Sequence, residues 1–148
     1  MNSLLETIPQ LLSYQNSILA FTILCFSVLI QNLLTAPLAF LKNEQAPGMP
    51  LNGNHKLLSF RVLRTHSNSV ESLPAFGFIF IIAIIIGVKP TLVNWLVSIH
   101  LISRIIFWVV YYSGIGKVAG GIRTLSFVGG LSTNIILAVA CFHQFSNL

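Results

Sequence analysis

Arg64, Asn68 and Glu71 stand four and then three residues apart in a chain of which only 7% is charged. At about 100° per residue they fall within a ~60° arc of one helix face. Farther on, Arg104 and Tyr111 lie seven residues apart and share a face, and Arg123 heads a third stripe with Phe127, Gly130 and Asn134. Arg64, Arg104 and Arg123 around the single Glu71 leave positive charge in surplus. That surplus suits an anionic ligand, because guanidinium N–H groups make charge-assisted hydrogen bonds to carboxylates and phosphates. Apolar walls beside it suit an apolar co-substrate.

The elements that must carry these groups follow from composition. Of 148 residues, 55% are hydrophobic, whereas a soluble domain carries about a quarter charged residues. Lipid is therefore the expected solvent, and the fold class is an all-α transmembrane four-helix bundle. A span needs about 20 apolar residues. Four segments meet that need, at 17–41, 57–88, 90–112 and 123–143, within one domain over 1–148. Pro90 suits a first helical turn. Pro74 falls inside the second span, where it removes a backbone donor and frees a carbonyl.

Depth counting brings the polar groups to one level. Counted back from Val88 at ~1.5 Å per residue, Glu71 lies ~25 Å in and Asn68 ~30 Å in. That is near the inner edge of a ~30 Å hydrocarbon core. Counted from Pro90, Arg104 is ~21 Å in and Tyr111 ~31 Å in, and Arg123 opens the fourth span at the same edge. An ionisable group in a span costs ~3 kcal/mol or more and so marks a partner or a function. The bland alternative is that Arg64 and Glu71 pair with Arg104 only to hold helices together, with Arg64 snorkelling to the interface.

Other features exclude more than they assign. The net charge is +5, but its basic residues are scattered through apolar sequence and form no stripe for nucleic acid. Instead, Lys42, Lys56, Arg61, Arg64, Lys117 and Arg123 lie in or beside the first and third loops, against Lys89 alone on the other side. The positive-inside rule places those two loops in the cytoplasm and both termini outside or in a lumen. His55, His66, His100 and His143 lack metal-ligand spacing, so no metal is expected. His100 is expected to pack in the bundle, and His66, about 160° from Asn68, to face another helix or subunit. Cys25 and Cys141 sit in apolar runs and read as packing residues, not a disulfide. The first sixteen residues lack a basic stretch, so a cleaved signal peptide is not expected.

The run Arg64-Thr65-His66-Ser67-Asn68-Ser69-Val70-Glu71-Ser72-Leu73-Pro74 reads RxxxNxxExxP. With Arg104, Tyr111 and Arg123-Thr124-Leu125, it resembles the MAPEG family, membrane-associated proteins in eicosanoid and glutathione metabolism. The likeness extends over essentially the whole chain, and around IRTLSFVGGL it is similar to bacterial-type microsomal glutathione transferases. That resemblance implies a homotrimer in a bacterial inner membrane, with glutathione as co-substrate between neighbouring subunits and a hydrophobic small molecule or lipid as its partner. It implies that Arg64, Asn68, Glu71, Arg104 and Tyr111 hold glutathione together with His66 and Ser72, and that Arg123 stabilises the thiolate as the catalytic residue. Such a thiolate would attack an electrophile or reduce a lipid hydroperoxide. Departures occur at Ser72, where leukotriene-forming members carry Tyr, and at Phe107, where Tyr or His is common. The inner end of the first span offers Gln31, Asn32 and Lys42 where members place an arginine.

Two other readings compete. A non-catalytic lipid-binding or scaffold protein of the same architecture would need no thiolate. A small proton-driven four-span exporter would use a membrane carboxylate, but such proteins carry it in the first span, which here has none.

Overall fold

A computed structural model of the chain describes residues 9–41, 43–116 and 120–147. Lys42 and Lys117 lie outside the described residues. Within them the protein is all helical, without strands, and four helices are long and apolar enough to cross a membrane. A helical turn at Pro9–Leu12 precedes α1, Gln15–Thr35, which continues through a wider π-helical turn at Ala36–Phe40. The other three are α2, Leu58–Ile85, α3, Pro90–Ser113, and α4, Gly121–Phe145.

Local chemistry sets these boundaries. Pro37 has no N–H to offer the preceding turn, and there the ladder widens so that Leu41 N–H reaches Ala36 O at 3.2 Å. α2 runs unbroken through Pro74, which leaves the Val70 carbonyl without its usual partner four residues on. It ends at Gly87, whose φ of 74° closes a left-handed cap. Val88 N–H bonds Ala83 O and Gly87 N–H bonds Ile84 O, satisfying carbonyls that a helix end leaves open. Pro90 then opens α3 at its first turn.

The core is a column of apolar side chains from all four helices, including Leu24, Phe76, Phe80, Val93, Val97 and Leu137. Phe21 packs on Phe76 and Phe80 with ring centroids 6.0 and 5.0 Å apart. Outward faces carry Leu19, Phe26, Leu33, Phe78, Ile85, Ile102, Val109, Leu125 and Phe142, all exposed, as a lipid-facing surface requires. α3 and α4 pack together most extensively. Their close approach depends on small residues, since a Cβ on Gly129 would lie 3.2 Å from Ser103 Oγ. His100 fills the same seam as the packing residue expected of it. Its ring stacks on Phe76 at 3.7 Å, and its Nδ1 lies 3.0 Å from both Gly130 O and Thr133 Oγ1.

Each end of the bundle is fastened. At the end that carries the α2–α3 turn, Tyr14 donates its hydroxyl to Val88 O at 2.5 Å, and Asn94 bonds Ser17 N–H and Ser13 O. At the opposite end, Arg61 donates Nη1 to His55 O and Lys56 O and Nε to Tyr112 O. One guanidinium therefore ties the first loop to the end of α3. The loop is braced again by the buried Gln45, whose amide bonds Asn52 N–H at 2.9 Å and Asn52 O at 3.3 Å.

Candidate functional site

α2, α3 and α4 bring polar groups to a cavity of about 200 Å³ at the end of the bundle where α2 and α4 begin. Its lining includes Arg64 and Asn68 from α2, Phe107 and Tyr111 from α3, and Arg123, Thr124 and Phe127 from α4. The helical spacings explain this directly. Arg64 and Asn68 are one turn apart, as are Phe107 and Tyr111, and Arg123 and Phe127, so each helix presents one short stripe.

The deepest part of the site is a hydrogen-bonded wall. Arg104 is only 2% exposed, and its Nη2 donates to Asn68 Oδ1 at 2.9 Å and to Ser69 Oγ at 3.3 Å. Trp108 Nε1 also donates to Ser69 Oγ, at 2.9 Å, while that hydroxyl donates to Thr65 O. A serine hydroxyl has one donor and two acceptor sites, so Ser69 is saturated. Arg104 thus reaches the cavity through Asn68 and presents no surface of its own to it. A buried guanidinium facing Asn68 also orients that amide, because its oxygen must point to Arg104 and its NH₂ is left toward the cavity.

Arg123 opens α4 and is 6% exposed, with its Cζ 4.3 Å from the centre of the Tyr111 ring. This cation–π contact holds a cation against an apolar floor, where its field is less screened than in water. Phe107 and Phe127 complete that floor, with centroids 6.0 Å apart. Arg64 leans on Glu71 at 3.6 Å, with side chains 46% and 60% exposed. The partner of Glu71 is therefore Arg64, and Glu71 does not line the cavity. Nor do His66 and Ser72. His66 Nδ1 is buried with no hydrogen-bond partner among the described residues, and Ser72 Oγ bonds Ser69 O at 3.2 Å.

The structure adds residues that spacing alone did not single out. Ser69 lies inside the motif, and Trp108 is one turn beyond Arg104, so their faces were readable although their meeting was not. His55 comes from the first loop, where no periodicity operates. Its ring packs edge-on to Phe60 at 4.8 Å, and its Nδ1 lies 3.5 Å from Tyr111 Oη. Burial holds its pKa below the usual imidazole value, with the nearby Arg123, Arg61 and Arg64 adding to the effect. His55 thus sits against Tyr111, itself a lining residue of the cavity, within the field of three guanidinium groups. Among the described residues, no three His, Cys, Asp or Glu side chains cluster to hold a metal ion.

Comparison with known proteins matches the model of the MAPEG family to residues 17–143, which takes in nearly the full length of α1 to α4. No curated protein matches the chain.

Proposed function

The chain belongs to the MAPEG family, and on that premise we propose that it is a glutathione-dependent transferase, with peroxidase activity on lipid hydroperoxides, acting on hydrophobic substrates from the membrane. One observation carries this reading: Arg64, Asn68, Tyr111 and Arg123 line a single cavity with an aromatic floor. Glutathione brings two carboxylates, peptide groups and a thiol. Arg64 is suited to a carboxylate, the Asn68 amide to a peptide carbonyl, and the buried Arg123 to the sulfur. A free thiol with pKa near 8.5 is mostly protonated at neutral pH, and an adjacent guanidinium lowers that value. The thiolate then forms a carbon–sulfur bond with an electrophile as the leaving group departs. With a hydroperoxide it takes the terminal oxygen, and a second glutathione completes the disulfide, leaving alcohol and water.

The cavity volume favours a site completed by a neighbouring subunit, as in the homotrimer that the family resemblance implies. About 200 Å³ is below the ~300 Å³ at which ligand pockets begin, and a neighbouring subunit would supply the missing wall. His66, with its partnerless Nδ1, is a candidate for that junction, and Glu71 and Ser72 for glutathione contacts made across it. Similarity around IRTLSFVGGL to bacterial-type members supports a bacterial inner membrane, with the first and third loops cytoplasmic.

Calorimetric titration of glutathione into detergent-purified protein tests the proposal. Wild type is expected to bind and to show thiolate absorbance in the ultraviolet at neutral pH. Arg123→Ala should raise the pKa of the bound thiol and lose that absorbance. Folded protein that binds no glutathione would sink the reading, and a thiolate unaffected by Arg123→Ala would reject the role of Arg123. The alternative, a non-catalytic lipid-binding member, is favoured by the Phe107 and Phe127 rings that line the cavity. It predicts no glutathione heat in the same titration.

A further inference from the structure

Turning a thiol into a thiolate releases a proton, and that proton must leave the cavity. Among the described residues that line it, none carries a carboxylate or an imidazole. Arginine stays protonated in proteins, so Arg64 and Arg123 stabilise negative charge but accept no proton. Asn68 is an amide, Phe107 and Phe127 are hydrocarbon, and Thr124 Oγ1 accepts Gly120 N–H at 2.8 Å. Tyr111 remains. A phenol can pass a proton along, accepting at its oxygen while donating its own.

Tyr111 leads out of the cavity to a base. Its ring lies against the Arg123 guanidinium and is 6% exposed. Its Oη stands 3.5 Å from Nδ1 of His55, and the two ring centres are 5.9 Å apart. His55 belongs to the first loop and is half-buried, so it meets the phenol on one side and water on the other. Arg61 and Arg64 face it from α2 and Arg123 from α4, each adding to the effect of burial in lowering its pKa. Lys56 is its neighbour in the loop, and the carboxylate of Glu71 is engaged by Arg64 at 3.6 Å. A lowered pKa suits a carrier better than a sink. The ring is free to accept at neutral pH, and once charged it is pressed by three guanidinium groups to pass the proton on.

We infer, on the glutathione reading above, that His55 is the outlet for the thiol proton and acts through Tyr111 rather than on glutathione itself. The thiol S–H gives its proton to Tyr111 Oη as the Tyr111 O–H gives its own to His55 Nδ1. Thiolate, phenol and imidazolium result, and the imidazolium then loses a proton to water.

Stopped-flow mixing of glutathione with the detergent-purified chain follows the thiolate by its ultraviolet absorbance, and calorimetry gives the Kd. His55→Gln keeps a side chain able to bond Tyr111 but unable to carry a proton. It is expected to slow thiolate formation about tenfold, below the ~10²-fold of a base in direct contact, because water competes. Final absorbance and Kd should be unchanged. The Arg61 clamp survives the change, since it holds the main-chain oxygen of His55. His55→Ala should be as slow and should recover with added imidazole, a rescue that lost packing would not give. In wild type the rate should fall as pH drops through the lowered pKa of His55, and both variants should lack that inflection. Equal rates in wild type and His55→Gln would overturn the inference while leaving the glutathione reading standing. So would variants that imidazole fails to restore, or slowing by Glu71→Gln alone, which would give the proton to that carboxylate. Folded wild type that binds no glutathione would overturn both.

Discussion

Ser69 carries more of the site than its size suggests. Its hydroxyl accepts from Arg104 and from Trp108 and donates to Thr65 O, so three helical turns are joined at one oxygen. Replacing it by alanine leaves the buried Trp108 N–H with nothing to bond and removes one of the two acceptors that Arg104 Nη2 uses. Each stranded buried donor costs about 1–3 kcal/mol, and Arg104 keeps Asn68 as a partner. Ser69→Ala is therefore expected to destabilise the bundle by about 2 kcal/mol, measured by reversible unfolding in mixed micelles. An unchanged unfolding curve would show that the hydroxyl matters to neither donor. The same contacts show where the sequence stops being informative. Arg104 announced itself, because a buried guanidinium in a membrane needs a reason. Its partners did not, since Asn68 and Ser69 are adjacent residues pointing about 100° apart, and only the rotation of α3 against α2 decides that both reach it.

At the scale of the helix, the ends are more demanding than the middles. α3 stops at Gly114, whose φ of 70° is left-handed, and a Cβ there would come within 3.1 Å of the Arg61 guanidinium carbon. Gly114→Ala therefore meets two penalties, a left-handed backbone worth about 1–2 kcal/mol and displacement of the Arg61 clamp. The expected result is a melting temperature below that of wild type and faster protease cleavage in the first loop, within residues 43–57. Equal cleavage rates in the two proteins would show that the loop is held by other contacts. The four helices themselves were legible from apolar length, and the start of α3 from Pro90. The π-helical turn at Ala36–Phe40 was not, although Pro37 marked the place. Proline says that the ladder must change there, not how the freed carbonyls are satisfied. His55 was equally hidden, because a loop residue has no period from which to read its face.

For the molecule as a whole, charge asymmetry is the feature that membrane insertion acts on. Lys56, Arg61, Arg64 and Arg123 gather at the cavity end of the bundle, against Lys89 at the other. The orientation proposed above is open to chemical labelling in a background lacking Cys25 and Cys141. Lys89→Cys is expected to react with an impermeant maleimide on intact cells, and Asn52→Cys only after permeabilisation. The reverse pattern would overturn the assignment and place the cavity mouth outside. The first loop beside that cavity is tied in place. Arg61 bonds the carbonyls of His55 and Lys56 to the end of α3, and His55 in turn packs on Phe60. For the anionic ligand proposed above, the loop beside Tyr111 is already in place, and only the neighbouring subunit's wall remains to be added. Capture then becomes a matter of encounter, guided by a field from clustered guanidinium groups that dissolved salt weakens. Ionic strength, more than temperature, would set how fast such a site fills.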